Sequence, residues 1–334
     1  MANNFANLSK TPNISNSHIS RPLPAPIQAA ARTLIRRWAR TGRKASRLFR
    51  LIERWGPRLA TGPLETTLPN GCRVSCDLHE FVQRQVYFMG AFEPVESYLF
   101  TRLLRRGMTV IDAGANIGQY TLLAATAVGR SGSVHSFEPV PSICASLRRH
   151  VSVNRLTNVS VNQLALWHEE STVTLGLPPD RIYNAGSWTI GTSESQSAAV
   201  RAEAIRLDSY VSRRALPRVD VIKMDIQGAE PFALEGARKM LADWHPTLMM
   251  EVHRPSLAAL GSSPEALWAF LSQFGYRAWR IRPSLKNSGP LPNLDGVEFE
   301  NFFFHIEDLP HAVTSGWSRH VPKQWACSGW ALEG

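Results

Sequence analysis

Val110-Ile111-Asp112-Ala113-Gly114-Ala115-Asn116-Ile117-Gly118-Gln119-Tyr120-Thr121 is the stretch whose reading decides the fold. An apolar strand is predicted over 108–112 and a helix over 121–128, with a tight turn between them. Gly114 and Gly118 put no β-carbon in that turn, so a ligand can approach the backbone, and the helix start presents free N–H groups. A second strand is predicted over 133–137 and ends in Glu138, where an acid can take both hydroxyls of a ribose. The pair predicts a nucleotide-like ligand.

The turn also narrows the ligand class. A dinucleotide-binding turn places Gly at 114, 116 and 119, whereas this chain has Asn116 and Gln119. Asp112, directly before the turn, repels a diphosphate but suits a ligand carrying a sulfonium and an ammonium group, such as S-adenosylmethionine. A nicotinamide-dependent oxidoreductase is the rival that the missing glycines oppose. Asp112 and Asn116 also have a purely structural alternative, stabilising the turn by side-chain hydrogen bonds.

Outward from the turn, strand-like and helical runs alternate, the pattern of a mostly parallel sheet covered by helices on both faces. Helices are predicted over 142–154, 231–241 and 264–274, and strands over 159–163, 173–177, 219–224 and 247–250. Two last strands, 276–281 and 301–306, read as an antiparallel pair at the sheet edge. Residues 178–200, rich in Gly, Ser, Thr and Pro, read as a long polar insertion.

The chain resembles the FkbM family of S-adenosylmethionine-dependent methyltransferases, over roughly residues 80–305. The resemblance is carried by 87–94 (Tyr87-Phe88-Met89-Gly90-Ala91-Phe92-Glu93-Pro94), the turn at 110–118, and Phe137-Glu138-Pro139. Asn158-Val159, Ala165-Leu166, Arg206-Leu207-Asp208-Ser209-Tyr210 and Ile222-Lys223-Met224-Asp225-Ile226-Gln227-Gly228-Ala229-Glu230 extend it. The family pattern often has Glu where this chain has Gln227. The resemblance implies an α/β fold: the doubly wound, seven-stranded methyltransferase sheet with an antiparallel edge pair. It implies methylation of a hydroxyl on a saccharide or natural product, with Asp112, Gly114, Asn116, Gly118, Glu138 and Ala165 at the cofactor. A non-catalytic scaffold of the same fold is the remaining alternative.

Ligands in such sheets sit beyond the carboxyl ends of the strands, where the sequence places Asp112, Glu138, Asp225 and Glu251. Converging carboxylates raise each other's pKa unless a cation or donor compensates. Transfer to an unactivated hydroxyl needs a proton acceptor, and Asp225 and His253 are the candidates, with Glu251 orienting the imidazole or binding the acceptor. Asp225 as a helix cap and His253 as a surface loop residue are the structural alternatives. Tyr87, Glu93, Asn184 and Glu230 are the candidate acceptor contacts; Glu230 also suits the first turn of a helix on dipole grounds alone.

The 334 residues, 44% apolar and 19% charged, are ample for a large core and exclude a disordered or collagen-like chain. The expected organisation is a flexible tail (1–26), a basic amphipathic helix (27–60), the methyltransferase domain (61–310) and a C-terminal tail (311–334). Residues 1–60 hold twelve Lys/Arg against Glu53 alone, a net +11, while the whole chain is +10. The body is therefore close to neutral, which argues against a nucleic-acid substrate. Apolar and arginine stripes at helical spacing over 27–55, with a break near Thr41-Gly42, predict either a helix packed on the body or one docked on an anionic membrane or acidic partner. Four cysteines form no disulfide framework and no zinc-ligand pattern, so no metal is expected. No apolar run is long enough for a bilayer span, and a cytoplasmic chain, at most attached at a membrane surface, is expected.

Overall fold

The computed structural model describes residues 24–39, 45–60, 62–177, 184–191, 198–281 and 289–314. Residues 1–23 of the tail predicted over 1–26, and residues 315–334 of that predicted over 311–334, lie outside these, and the described remainder of each is taken up by a helix, at Ala25–Ala39 and His311–Thr314. Helices α1 (Ala25–Ala39) and α2 (Ala45–Trp55) precede a hairpin of β1 (Leu64–Thr67) and β2 (Arg73–Cys76), then α3 (Phe81–Met89) and α4 (Pro94–Leu103). The body begins with β3 (Thr109–Ala113), α5 (Gln119–Val128), β4 (Ser133–Phe137), α6 (Pro141–Val153) and β5 (Val159–Asn162). Next come β6 (Ala165–Leu166), β7 (Ser171–Leu177), β8 (Thr189–Ile190), β9 (Ala198–Ile205), α7 (Leu207–Arg213) and β10 (Val221–Met224). The chain continues through α8 (Glu230–Glu235), α9 (Arg238–Trp244), β11 (Thr247–His253), α10 (Arg254–Ala259) and α11 (Pro264–Ser272). It closes with β12 (Arg277–Arg280), β13 (Phe299–His305) and α12 (His311–Thr314).

Seven strands form the central sheet in the order β12-β13-β11-β10-β3-β4-β5. β5, β4, β3, β10 and β11 are parallel, and β13 runs antiparallel to both β11 and β12, the expected edge pair. β3 and β10 lie at the middle, and every residue in them is buried. That position explains their apolar runs, because a strand covered on both faces has no solvent side. The chain winds outward from β3 to β5 and then returns to β10, so the crevice where the direction reverses opens at the carboxyl ends of β3 and β10.

The structure departs from the sequence reading at several points. The segment 231–241 is two helices rather than one: Gly236 packs so closely on the Trp167 carbonyl that a β-carbon would lie 2.4 Å from its oxygen. Asp208 accepts hydrogen bonds from the Lys239 and Met240 amides and so caps α9 from another element. β11 runs on to His253, because β13 pairs with it beyond the point where β10 ends, with Glu251 opposite Asn301 and His253 opposite Phe299. Residues 173–177 belong to a separate four-stranded sheet, β6-β9-β7-β8, packed on α6 through Val140, Ile143, Val173, Leu175 and Ala202. The described part of the polar insertion is likewise structured, giving a short helical turn at Ala185–Ser187, β8 and the start of β9.

Candidate active site

A cavity opens at the crevice. Its walls come from the β3–α5 turn (Gly114, Ala115, Asn116, Ile117), the end of β4 (Phe137, Glu138, Pro139) and the tips of β10 and β11 (Lys223, Asp225, Glu251, His253). α3 contributes Phe81 and Val82, the four-stranded sheet adds Ala165, Leu166, Leu175 and Ile190, and the segment leading into β8 adds Asn184 and Trp188.

The turn is fastened from below. The amides of Gly114 and Ala115 both donate to the Phe137 carbonyl at 3.0 Å. Gly114 has φ +73, and a β-carbon there would meet the backbone oxygen of Asp225 at 1.9 Å. Gly114→Ala is therefore expected to cost more than about 2 kcal/mol, combining a left-handed residue with a backbone clash. A thermal midpoint unchanged from that of the parent protein would refute this account of the turn.

Glu138 holds the same loop. Its Oε2 accepts from the Asn116 amide at 2.9 Å and its Oε1 from the Val140 amide at 3.0 Å. Each carboxylate oxygen keeps a second acceptor position for a ligand hydroxyl. Burial raises the Glu138 pKa to about 7 against the lowering effect of those two donors. Asn116 is itself left-handed, with φ +50, a strain that persists only where the surroundings impose it.

At the other end the site is acidic around one buried cation. Lys223 stands beside Asp112 in the β10–β3 register. Its Nζ lies 3.5 Å from Asp225 Oδ2 and 4.8 Å from the centre of the Tyr120 ring. Burial pulls the amine down, but Asp225, Asp112, Glu93 and Glu251 together outweigh it and hold its pKa above the ordinary lysine value. Burial raises Glu93 to about 8 and raises Glu251 well above the carboxylate range; neighbouring acids add to both, and Lys223 opposes. Gln227 (φ +56) donates to Asp225 Oδ1 at 2.9 Å. An amide at 227 thus supplies a donor where the family's Glu would add another acid.

The structure brings Gly114, Asn116, Glu138, Ala165, Asn184, Asp225, Glu251 and His253 to one cavity. Other predicted residues stand behind it. Asp112 is fully buried and accepts from the Thr121 hydroxyl at 2.6 Å, so it braces β3 against α5. Gly118, with φ +97, begins α5 with Leu147 packed against it. Glu230 accepts the Ile226 and Gly228 amides, both at 2.9 Å, and fixes the loop after β10. Glu93 accepts from Asn301 and Tyr120 near the acidic end. Tyr87 lies away from the cavity, buried in a separate core with the Arg32 guanidinium over its ring. His253 is a strand residue whose Nδ1 lies 2.6 Å from Ser256 Oγ.

Phe92 joins the cavity's aromatic wall as expected of a residue closing over the ligands, whereas Lys223, Phe81, Tyr120 and Phe299 were not among the expected site residues. The signal for Lys223 was present: a lysine inside an apolar strand run is costly unless charges surround it. Among the described residues no group of three or more His, Cys, Asp or Glu could hold a metal ion. No helix among them is long and apolar enough to cross a membrane.

Comparisons with known proteins give the family. The methyltransferase FkbM domain model matches residues 112–278, half of the chain. Methyltransferase 1 of Beauveria bassiana is 24% identical over 143 residues, 38% of this chain and 57% of that protein. The 31-O-demethyl-FK506 methyltransferase FkbM of Streptomyces tacrolimicus is 26% identical over 208 residues, 53% of this chain and 76% of that protein. A solved methyltransferase FkbM from Methylobacillus flagellatus shares 19% identity over 67% of this chain and 54% of its own, with a TM-score of 0.42. The cavity's donor set suits the family's cofactor, with a carboxylate for ribose hydroxyls at one end and excess acid for a cation at the other. The chain belongs to the FkbM family of S-adenosylmethionine-dependent methyltransferases.

Proposed function

We propose that this chain binds S-adenosylmethionine and methylates a hydroxyl oxygen of a saccharide or glycosylated metabolite. The observation that carries the reading is the meeting of Glu138 and the Asp225–Glu251–His253 group in one cavity between apolar and aromatic walls. The Streptomyces relative supports oxygen as the acceptor, since its name describes an O-demethylated substrate.

The cofactor supplies an electrophilic methyl group on a positively charged sulfur. Glu138 would take the ribose hydroxyls, with Phe137, Pro139 and Leu166 offering apolar surface beside it. Asp225 and Glu251, backed by Glu93, match the positive end. Methyl transfer is an in-line displacement governed by positioning. The chain therefore needs to hold the acceptor oxygen and take its proton. Asp225, Glu251 and His253 are the proton acceptors within the cavity, and Asn184 and Trp188 suit a polyhydroxylated acceptor, the indole as a stacking face and the amide as a hydrogen-bond partner.

The test is transfer of labelled methyl from S-adenosylmethionine to a panel of mono- and oligosaccharides in the presence of EDTA. Base-stable methyl ethers are expected, formed at the same rate with and without chelator. Label found only on amines or carboxyls would overturn the acceptor assignment, and loss of activity in EDTA would overturn a metal-free mechanism.

A further inference from the structure

The two N-terminal helices divide their side chains in a way the sequence stripes alone did not reveal. On α1 the inner face carries polar anchors beside Ile35, which packs on the core below. Gln28 donates to the Leu59 carbonyl, Arg32 to the Glu65 carbonyl, and Arg36 to Thr66 Oγ1 and the Tyr87 carbonyl. Arg32 and Arg36, both partly buried, are therefore engaged by the body. The opposite face carries Ile27 and Leu34, seven residues apart and 50% and 65% exposed.

On α2 the inner face holds Ile52, 2% exposed, and Glu53, whose carboxylate takes Arg84 and Gln85. The outer face presents Arg50, Leu51, Arg54 and Trp55. The guanidinium groups of Arg54 and Arg58 lie over the Trp55 ring at 5.6 and 5.2 Å. Of the six large apolar side chains exposed among the described residues, four are Ile27, Leu34, Leu51 and Trp55. Both helices pack on α3 and on each other, so the two outer faces belong to neighbouring elements.

We propose that the outer faces of α1 and α2 form a docking surface for an anionic phospholipid bilayer. The charge is of one sign: Glu53 is the single acid in residues 1–60, and it is turned inward to Arg84. The exposed apolar side chains stand singly, and those of α2 have Arg50 and Arg54 beside them. A lipid interface accepts that arrangement, whereas a protein partner needs a groove or a continuous apolar patch. Trp55 and Leu51 enter the headgroup boundary, Arg50, Arg54 and Arg58 meet lipid phosphates, and the two guanidiniums over the indole keep cation and ring at one depth. α3 also supplies Phe81 and Val82 to the cavity wall, so the docked surface and the cavity share a helix. The inference does not rest on the proposed reaction.

The experiment is co-sedimentation of the full chain with phosphatidylcholine vesicles, with and without phosphatidylglycerol, at low and high salt. Binding that requires phosphatidylglycerol and weakens with salt is expected. The triple variant Arg50→Glu/Arg54→Glu/Arg58→Glu is expected to weaken it about a hundredfold or more. Leu34→Ser/Trp55→Ser is expected to weaken it as well, while S-adenosylhomocysteine affinity, a check on folding, stays at the parent value in both variants. Equal sedimentation with and without anionic lipid overturns the proposal. So does concentration-dependent self-association that Leu34→Ser/Trp55→Ser abolishes in a chain that ignores vesicles, since the occupant is then a second copy.

Discussion

Glu138→Ala is expected to weaken S-adenosylhomocysteine binding by two to three orders of magnitude in a calorimetric titration. The carboxylate offers two acceptor positions to a ligand, and charge-assisted hydrogen bonds contribute about 1.5–3 kcal/mol each, where 1.4 kcal/mol is tenfold in affinity. The same side chain holds the Asn116 and Val140 amides, so its removal also loosens the turn. Glu138→Gln separates the two effects, because it keeps the size and one acceptor oxygen; an intermediate loss of about tenfold is expected.

The pH dependence gives a second handle. Burial lifts Glu138 to about 7 in the ligand-free protein, so its charged form grows as pH rises through that value. Affinity for ribose hydroxyls is expected to increase from pH 6 to 8 in the parent protein and to stay flat in Glu138→Gln. Stability moves the other way. A carboxyl whose folded pKa is raised contributes stability below its unfolded value, and that contribution is lost as pH rises through the folded one. Glu230, raised to about 7, and Glu93, raised to about 8, act in the same direction, so the ligand-free chain is expected to melt at lower temperature at pH 8 than at pH 5. Parent-like titrations for both Glu138 variants would remove the residue from the cofactor site.

The turn and the strand ends were legible because their chemistry is local. Gly114 and Gly118 announce positive φ, and Glu138 follows at a spacing fixed by one strand and one helix. What stayed hidden depends on partners distant in sequence. Nothing near Tyr87 signals that Arg32 covers it, since α1 meets α3 only through the fold. Glu251 and His253 appear to follow a strand because the apolar run stops at Met250; β13, fifty residues later, extends the pairing to His253. Arg32, Arg36, Arg50 and Arg54 share one spacing but point to two faces, and hydrogen-bond acceptors on β1 and α3 decide which. The compensation of the acidic cluster was incomplete for the same reason. The sequence assigns part of it to a cationic cofactor and names no protein cation, whereas Lys223 supplies a share from within the sheet.

Lys223→Met is expected to lower turnover by more than tenfold and to move the acid limb of the pH–rate profile to higher pH. Lys223 is nearly buried among Asp225, Asp112, Glu93 and Glu251, and breaking a buried ion pair by removing one partner costs about 3–5 kcal/mol, because the remaining charge is uncompensated. The carboxyls can escape that cost only by taking up protons. Lys223 lowers the pKa of Glu93, Asp112 and Glu251, so without it these groups hold protons to higher pH and the cavity loses proton-accepting capacity. The loss of thermal stability should accordingly be larger at pH 8 than at pH 6, where protonation relieves the repulsion. Lys223→Arg keeps the charge and is expected to leave the acid limb in place, even if the larger group slows turnover. Weaker binding of S-adenosylmethionine should not accompany the methionine change, because the protons taken up only replace the charge of the lost cation; a KM that stays level while kcat collapses is the expected split. An unchanged pH profile, with a stability loss equal at both pH values, would reduce Lys223 to packing against Tyr120 and return the proton chemistry to Asp225, Glu251 and His253 without it.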